Sequence, residues 1–407
     1  MVMTAEEFRA CFPVFDHRVY MDIAARAPLS RPVREAYDRW LDDWQSTGGT
    51  KDQWMAALEV TRERFARLIN ASPREISYTK NVSEGLNIVA NAVDWRAGDN
   101  VVICADVEHP NNIYVWLNER RRDVEVRIVR SRDGKVTPED YMEAVDDRTR
   151  VVAVSHVSFA PGRLLDLVPI GRFCRDRGIM LVVDAAQSAG VMQVDVQAMN
   201  IDVLCVSSHK AILGPYGMGF LYCRQEWLRQ LRPVYLARYS VLVEESDHEE
   251  VMGAFQYRLP DDGRRFEIGN YNYGAALATG AALDMLLSVG SQTIEDHVLD
   301  LADRLTVGLE ALGLDVCSGR RGDGLCQMIT AGRWGAGGHY SSSDESLRRL
   351  FDELIARGFT LSLRRGLVRF SLHYYNNKND VDAALRVVEE ENRSVAISTG
   401  TRTEIGG

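Results

Sequence analysis

Apolar residues in this chain recur in two rhythms. One is the short apolar or β-branched run closed by a polar or turn-forming residue. Such runs occur at Ile76-Ser77-Tyr78-Thr79, Asp99 to Cys104, Val124 to Val129, Val151 to Val154, Ile179 to Val183, Val203 to Val206 and Phe220-Leu221-Tyr222. Runs of this length read as strands, Val124 to Val129 as an edge-like one and the purely apolar ones as buried. The other rhythm is helical, with apolar positions three and four apart. It predicts two helices within 31–70, one running to Val93, and others at 138–146, 167–178, 273–290, 293–313 and 344–357. Strands that alternate with helices predict a mostly parallel sheet covered on both faces. The rhythm changes near residue 290, which predicts a large domain over 16–290. A smaller one is predicted over 291–395 together with 1–15, and a frayed polar tail over 396–407.

Composition narrows the partners. A net charge of −10 argues against nucleic acid or an anionic membrane surface. No apolar run reaches the roughly 18 residues of a membrane span. The seven cysteines include no C-x-x-C pair, so buried free thiols are expected, with no metal set among them. The N-terminus has neither a basic nor an apolar signal region, and a cytoplasmic location is the expectation.

Candidate chemistry concentrates between Leu181 and Lys210. One strand stops on Asp184 and another on Ser207-Ser208-His209-Lys210. Both strands deliver their last residues to one edge of the sheet, where ligands sit in open α/β folds. Singly, the acid reads as a helix cap and the lysine as a surface residue. Gln187 follows the acid, however, and Gly214, Gly217 and Gly219 follow the lysine. Together they suit pyridoxal 5'-phosphate (PLP). The lysine forms a Schiff base with its aldehyde, and the acid keeps its ring nitrogen protonated, so that the ring acts as an electron sink. Asn81-Val82-Ser83-Glu84-Gly85 opens a helix and offers N–H groups and a hydroxyl to an anion, either as a phosphate site or as an ordinary cap.

Asp184-Ala185-Ala186-Gln187, followed about two dozen residues on by Ser-x-His-Lys, resembles the class V aminotransferase family. So do Tyr20-Met21-Asp22-Ile23-Ala24-Ala25-Arg26-Ala27-Pro28, the Glu108-His109 pair, Phe266-Glu267-Ile268-Gly269-Asn270 and Val368-Arg369-Phe370-Ser371. The resemblance implies PLP fold type I, an α/β fold. Its large domain holds a mainly parallel seven-stranded sheet between helices, and its small C-terminal domain is α+β. It implies that Lys210 carries the cofactor and Asp184 meets the ring nitrogen. His109 stacks on the ring and passes protons. The turn with Ser83 meets the phosphate, Val82, Ser207 and His209 are further cofactor-binding residues, and Gln187 hydrogen-bonds the phenolic oxygen. Cysteine desulfurases of the family share that last duty with an asparagine, where this chain has Phe159. Arg369 is expected to hold the substrate carboxylate. Arg26 faces the substrate in one reading and solvent in the other. Asn270, in the place of a threonine, is expected to cross a homodimer interface to the partner's phosphate.

What the chain lacks bears on the reaction. Cysteine desulfurases carry a nucleophilic Cys in a loop just before the carboxylate-binding arginine. The interval from Gly358 to Arg369 has no cysteine and passes through Arg364-Arg365-Gly366 almost directly. Persulfide chemistry on a protein thiol is therefore not expected. The favoured reaction is β-elimination from an S-substituted cysteine, a small amino-acid substrate, with Lys210 as the Cα base. Transamination and epimerisation are the alternatives. A non-catalytic binding protein of the same fold is a remote one, because it would have had no need to keep both Lys210 and Asp184. The acids of 244–250 with the aromatic patch Tyr235, Tyr239, Phe255 and Tyr257 resemble the family's active-site rim, and Arg364, Arg365, Arg26, Tyr235 and Tyr239 suggest a polar substrate that bears a second carboxylate. A solvated surface is the alternative.

Overall fold

The computed structural model describes residues 3–243 and 256–398. The acids of 244–250, Phe255 and the end of the tail lie outside the described residues.

The seven predicted runs form one sheet. Its strands are β1 (Ile76–Thr79), β2 (Asn100–Ile103), β3 (Glu125–Ile128), β4 (Thr149–Ser155), β5 (Met180–Asp184), β6 (Val203–Ser207) and β7 (Gly219–Cys223). Their order across the sheet is β1-β7-β6-β5-β4-β2-β3. Only β7 runs against its neighbours. Successive side chains of a strand face opposite ways, and along the inner strands both faces are buried, while the edge strand β3 is partly exposed. Val152, Val154, Leu181, Val183, Leu204 and Val206 enter one core. Val151, Ala153, Met180, Val182, Val203 and Cys205 enter the other. Two buried faces are why these strands read as unbroken apolar runs rather than alternating ones.

The helices Arg31–Thr47 and Lys51–Leu68 pack against Tyr273–Val289. That last helix, rich in small residues, is buried along most of its length. No single helix among the described residues is long and apolar enough to cross a membrane.

A second sheet holds β8 (Met328–Gly332), β9 (Ser362–Arg364) and β10 (Leu367–Ser371), with β10 between the other two and antiparallel to both. β9 and β10 are joined by two residues, Arg365 and Gly366, with φ of 51° and 91°. Two positive φ values define the tight hairpin turn whose twist matches that of the strands, which is why a glycine stands here. The segment that opens the fold is tied to this sheet rather than to the large one. Val19–Tyr20 pairs with Phe359–Thr360, and Asp22 bridges to Ser371.

Candidate active site

A cavity of about 510 Å³ opens over the C-terminal edge of the large sheet. Ser155, Asp184 and Ser207 reach it as the last residues of β4, β5 and β6. Asn81, Val82 and Ser83 follow β1, His109 follows β2, and His209 and Lys210 follow β6. Register brings Ser155 opposite Asp184 and Asp184 opposite Cys205.

The helix Val82–Ala92 is brought close by two glycines. A Cβ on Gly85 would lie 2.9 Å from Cys205 Sγ, and one on Gly219 would lie 2.4 Å from the Val206 carbonyl and 3.1 Å from Asn81 Cα. Nothing larger than hydrogen fits at either position. Asn81 caps the helix by accepting from Glu84 N–H at 3.0 Å. Val82 N–H donates to Ser207 Oγ at 2.9 Å. Ser83 is left at the cavity wall beside a positive helix end.

Lys210 and Asp184 interact across the cavity floor. Burial pushes the Lys210 ammonium down to about 8; Asp184 opposes this, and Arg369 and Arg364 push it lower still. Burial raises the Asp184 carboxyl, while its hydrogen bond from Ala186 N–H, at 2.9 Å, and the nearby Lys210 hold it down. A cationic ring nitrogen placed against Asp184 would answer that burial. His109 Nδ1 accepts from Asn111 N–H at 3.2 Å, which leaves the proton of the neutral ring on Nε2. Burial and then Lys210 push the imidazole down to about 4, so the neutral form holds near pH 7. Behind it Glu108 is buried, accepts from Ser155 and Asn112, and rises to about 7 through burial.

Arg369, on β10, is fully buried. Its Nε donates to Ser362 Oγ at 3.2 Å, and its Nη2 donates to Asp22 Oδ1 at 3.4 Å. Nη1 has no partner among the described residues. A buried guanidinium nitrogen without an acceptor is costly unless a ligand supplies one.

The donor set fits PLP: an amine of lowered pKa, a buried carboxylate, an imidazole and a helix N-terminus with a hydroxyl, all around one cavity. One detail differs from the sequence reading. Gln187 Nε2 donates to the Ala24 carbonyl at 3.0 Å, and Oε1 is buried without a partner. The amide therefore offers an acceptor where a donor to the phenolic oxygen was expected.

Every residue the sequence assigned to catalysis, cofactor or substrate binding lines this cavity except Asn270, and so does Arg364, whereas Arg365, Tyr235, Tyr239 and Tyr257 do not. Arg26 lines it from an exposed position. Asn270 is also exposed and borders a separate cavity of about 360 Å³ with Thr79, Lys80 and Glu84. Within its own protomer it does not reach the Lys210 cavity. Sequence reasoning missed His339 and Tyr340, which enter from the Gly-rich segment after β8. His339 stacks on Phe159 with centroids 5.3 Å apart, and Tyr340 lies under the Arg364 guanidinium at 4.7 Å. Aromatic residues among glycines were the one available signal. Asp22, the buried acceptor behind Arg369, was read only as part of a motif.

This fold, with a lysine and an acid at adjoining strand ends, defines a PLP-dependent enzyme of fold type I. The model of the family described as Aminotransferase class-V matches residues 19–329. The chain belongs to that class-V aminotransferase family, and PLP is its cofactor. It is 32% identical to a probable cysteine desulfurase of Methanothermobacter thermautotrophicus, over 95% of this chain and 98% of that one. The apo cysteine desulfurase of Thermococcus onnurineus superimposes with a TM-score of 0.83 at 26% identity, over 96% of this chain and 98% of that one. A cystine C–S lyase bound to cysteine persulfide superimposes with a TM-score of 0.82 at 21% identity, covering 93% of this chain and 99% of that one, a likeness of fold.

Proposed function

We propose that this enzyme is a C–S β-lyase that acts on S-substituted cysteines. The observation that carries the reading is the cavity wall itself, which includes Lys210, Asp184 and Arg369 but no cysteine. The seven thiols are all free, five of them buried and two half-buried, and none lines the cavity. A sulfur leaving group must then depart with its own substituent rather than pass to a protein thiol. The cystine C–S lyase, a neighbour in fold, is named for cleavage of the same kind of bond.

Bound PLP supplies the electron sink for a carbanion at Cα. Arg369 binds the α-carboxylate through Nη1, with Asp22 and Ser362 holding the guanidinium in place. Lys210, once freed, removes the Cα proton, and its lowered pKa suits that task near pH 8. The Cβ–S bond then breaks and its electron pair leaves on sulfur. The Lys210 ammonium, which now holds the Cα proton, passes it to the departing thiolate, and the neutral His109 lines the same cavity with its Nε2–H as a hydrogen-bond donor. The remaining three carbons leave as 2-aminoacrylate, which water converts to pyruvate and ammonium. Asp184 would hold the ring nitrogen of the bound cofactor. The enzyme works as a homodimer in this reading, supported by the motif at 264–272 and by the distance of Asn270 from its own protomer's cavity.

Proton NMR of the PLP-loaded enzyme with S-ethylcysteine in D2O tests the reaction. Pyruvate and ethanethiol are expected. Deuterium at Cα without pyruvate would overturn elimination in favour of epimerisation or transamination.

A further inference from the structure

The turn between β9 and β10 places two guanidiniums on one face. Ser362 stands opposite Arg369, and Arg364 stands opposite Leu367. Arg364 is two residues from Ser362, so it shares the face of Arg369 as its diagonal neighbour, a separation of roughly 7–8 Å. Like charges so placed repel each other. Arg369 has an acid of its own in Asp22. Arg364 has none. Its one hydrogen bond goes from Nη1 to the adjoining Leu363 carbonyl at 2.7 Å, and it makes no ion pair among the described residues. Yet it is half-buried, lines the cavity, and is set over the Tyr340 ring.

The Gly-rich segment that carries Tyr340 is moulded onto this turn. Arg365 N–H donates to the Gly338 carbonyl at 3.0 Å, and Gly366 N–H donates to the Ser341 carbonyl at 3.0 Å. Ser342 Oγ donates to the Gly366 carbonyl at 3.2 Å, and the Arg365 guanidinium lies 4.7 Å from the Trp334 ring. His339 and Tyr340 are thereby held at the cavity mouth on the Arg364 side. The result is a half-buried cation with most of its donors unspent, backed by an aromatic ring, one diagonal step from the α-carboxylate site.

We propose that Arg364, with His339 and Tyr340, forms a second anion subsite, and that the substrate's sulfur substituent carries a carboxylate. This rests on the C–S lyase reading and narrows it to S-(carboxyalkyl)cysteines and cysteine disulfides bearing a second carboxylate. The alternative is that Arg364 merely assists Arg369 with a single carboxylate.

Binding separates the two without turnover. The probes are adipate, whose two carboxylates are four atoms apart as in S-carboxymethylcysteine, and hexanoate, which has one. Both are titrated calorimetrically into PLP-loaded enzyme. Adipate is expected to bind at least about ten-fold tighter than hexanoate, the scale of one charge-assisted hydrogen-bonded contact. R364Q should erase that difference and leave hexanoate unchanged, and R364K should keep part of it. Equal affinities in the unaltered enzyme would overturn the proposal. So would an R364Q variant that weakens both ligands alike, since Arg364 would then serve the α-carboxylate. If adipate behaves as expected but no pyruvate forms from S-carboxymethylcysteine, the lyase reading fails and the anion subsite stands.

Discussion

The floor and the rim of the cavity are built by different means. The floor consists of strand ends and a helix N-terminus, with side chains fixed by backbone register: Asp184 opposite Ser155, Ser207 holding Val82 N–H. The rim consists of a hairpin and a Gly-rich loop, held by their fit to one another, with Tyr340 exposed by 70%. The difference separates two duties. Groups that must hold a cofactor against a base need register. Groups that choose among substrates sit where a loop can change without disturbing the sheet.

If that division is right, the largest effect belongs to the floor. Lys210→Ala should lower turnover by roughly a thousandfold or more while the circular dichroism stays unchanged. Borohydride should then fail to fix a pyridoxyl label on the protein. Unchanged activity would break the assignment of the base. Asp184→Asn should cost about 10²- to 10³-fold in kcat, because the amide cannot answer a cationic ring nitrogen. Its fold should persist, since among the described residues the carboxylate accepts one protein hydrogen bond, from Ala186 N–H.

Arg369 lies between floor and rim and tests stability and binding together. Arg369→Met leaves Asp22 buried without its cation, which should cost about 3 kcal/mol in a denaturant titration. Carboxylate affinity should fall as well. Adding Asp22→Asn should restore much of the stability and none of the affinity. If both return, Arg369 is only a structural partner of Asp22.

The floor also sets a pH dependence. Lys210, pushed down to about 8, must be neutral to attack the cofactor aldehyde. Covalent capture of PLP by the apo-protein should rise about ten-fold per pH unit below 8 and level off above it. Stopped-flow absorbance reads this directly. A rate that keeps rising about ten-fold per unit well past pH 9, with no plateau, would mean that burial does not lower the ammonium.

The same division governs what the sequence disclosed. All seven strands were legible: the inner ones because a doubly buried strand is a short apolar run whatever its partners, and the edge strand β3 through its β-branched alternation. Asp184, Lys210, Ser83 and His109 were legible because each directly follows or ends a strand or opens a helix. Arg369 was legible through its motif, but its acceptor Asp22 lies 347 positions away in the chain and only tertiary pairing joins them. His339 and Tyr340 had no periodicity to mark them. Their position comes from hydrogen bonds between Gly338, Ser341 and the β9–β10 turn, which no local pattern encodes. Gln187 was found, but the direction of its hydrogen bond was not, because that depends on the Ala24 carbonyl from a distant segment.

The smallest expected effect belongs to the rim and is the most discriminating. Tyr340→Ala removes a ring 4.7 Å from the Arg364 guanidinium and touches nothing on the floor. An exposed cation–π contact contributes about 0.5–1 kcal/mol. Affinity for a dicarboxylate should therefore fall about two- to five-fold, with affinity for a monocarboxylate and the pH profile of PLP capture unaltered. Tyr340→Phe keeps the ring face and should restore nearly all of it. A change in cofactor capture on Tyr340→Ala would mean that the rim loop supports the floor, and the two regions would have to be treated as one unit.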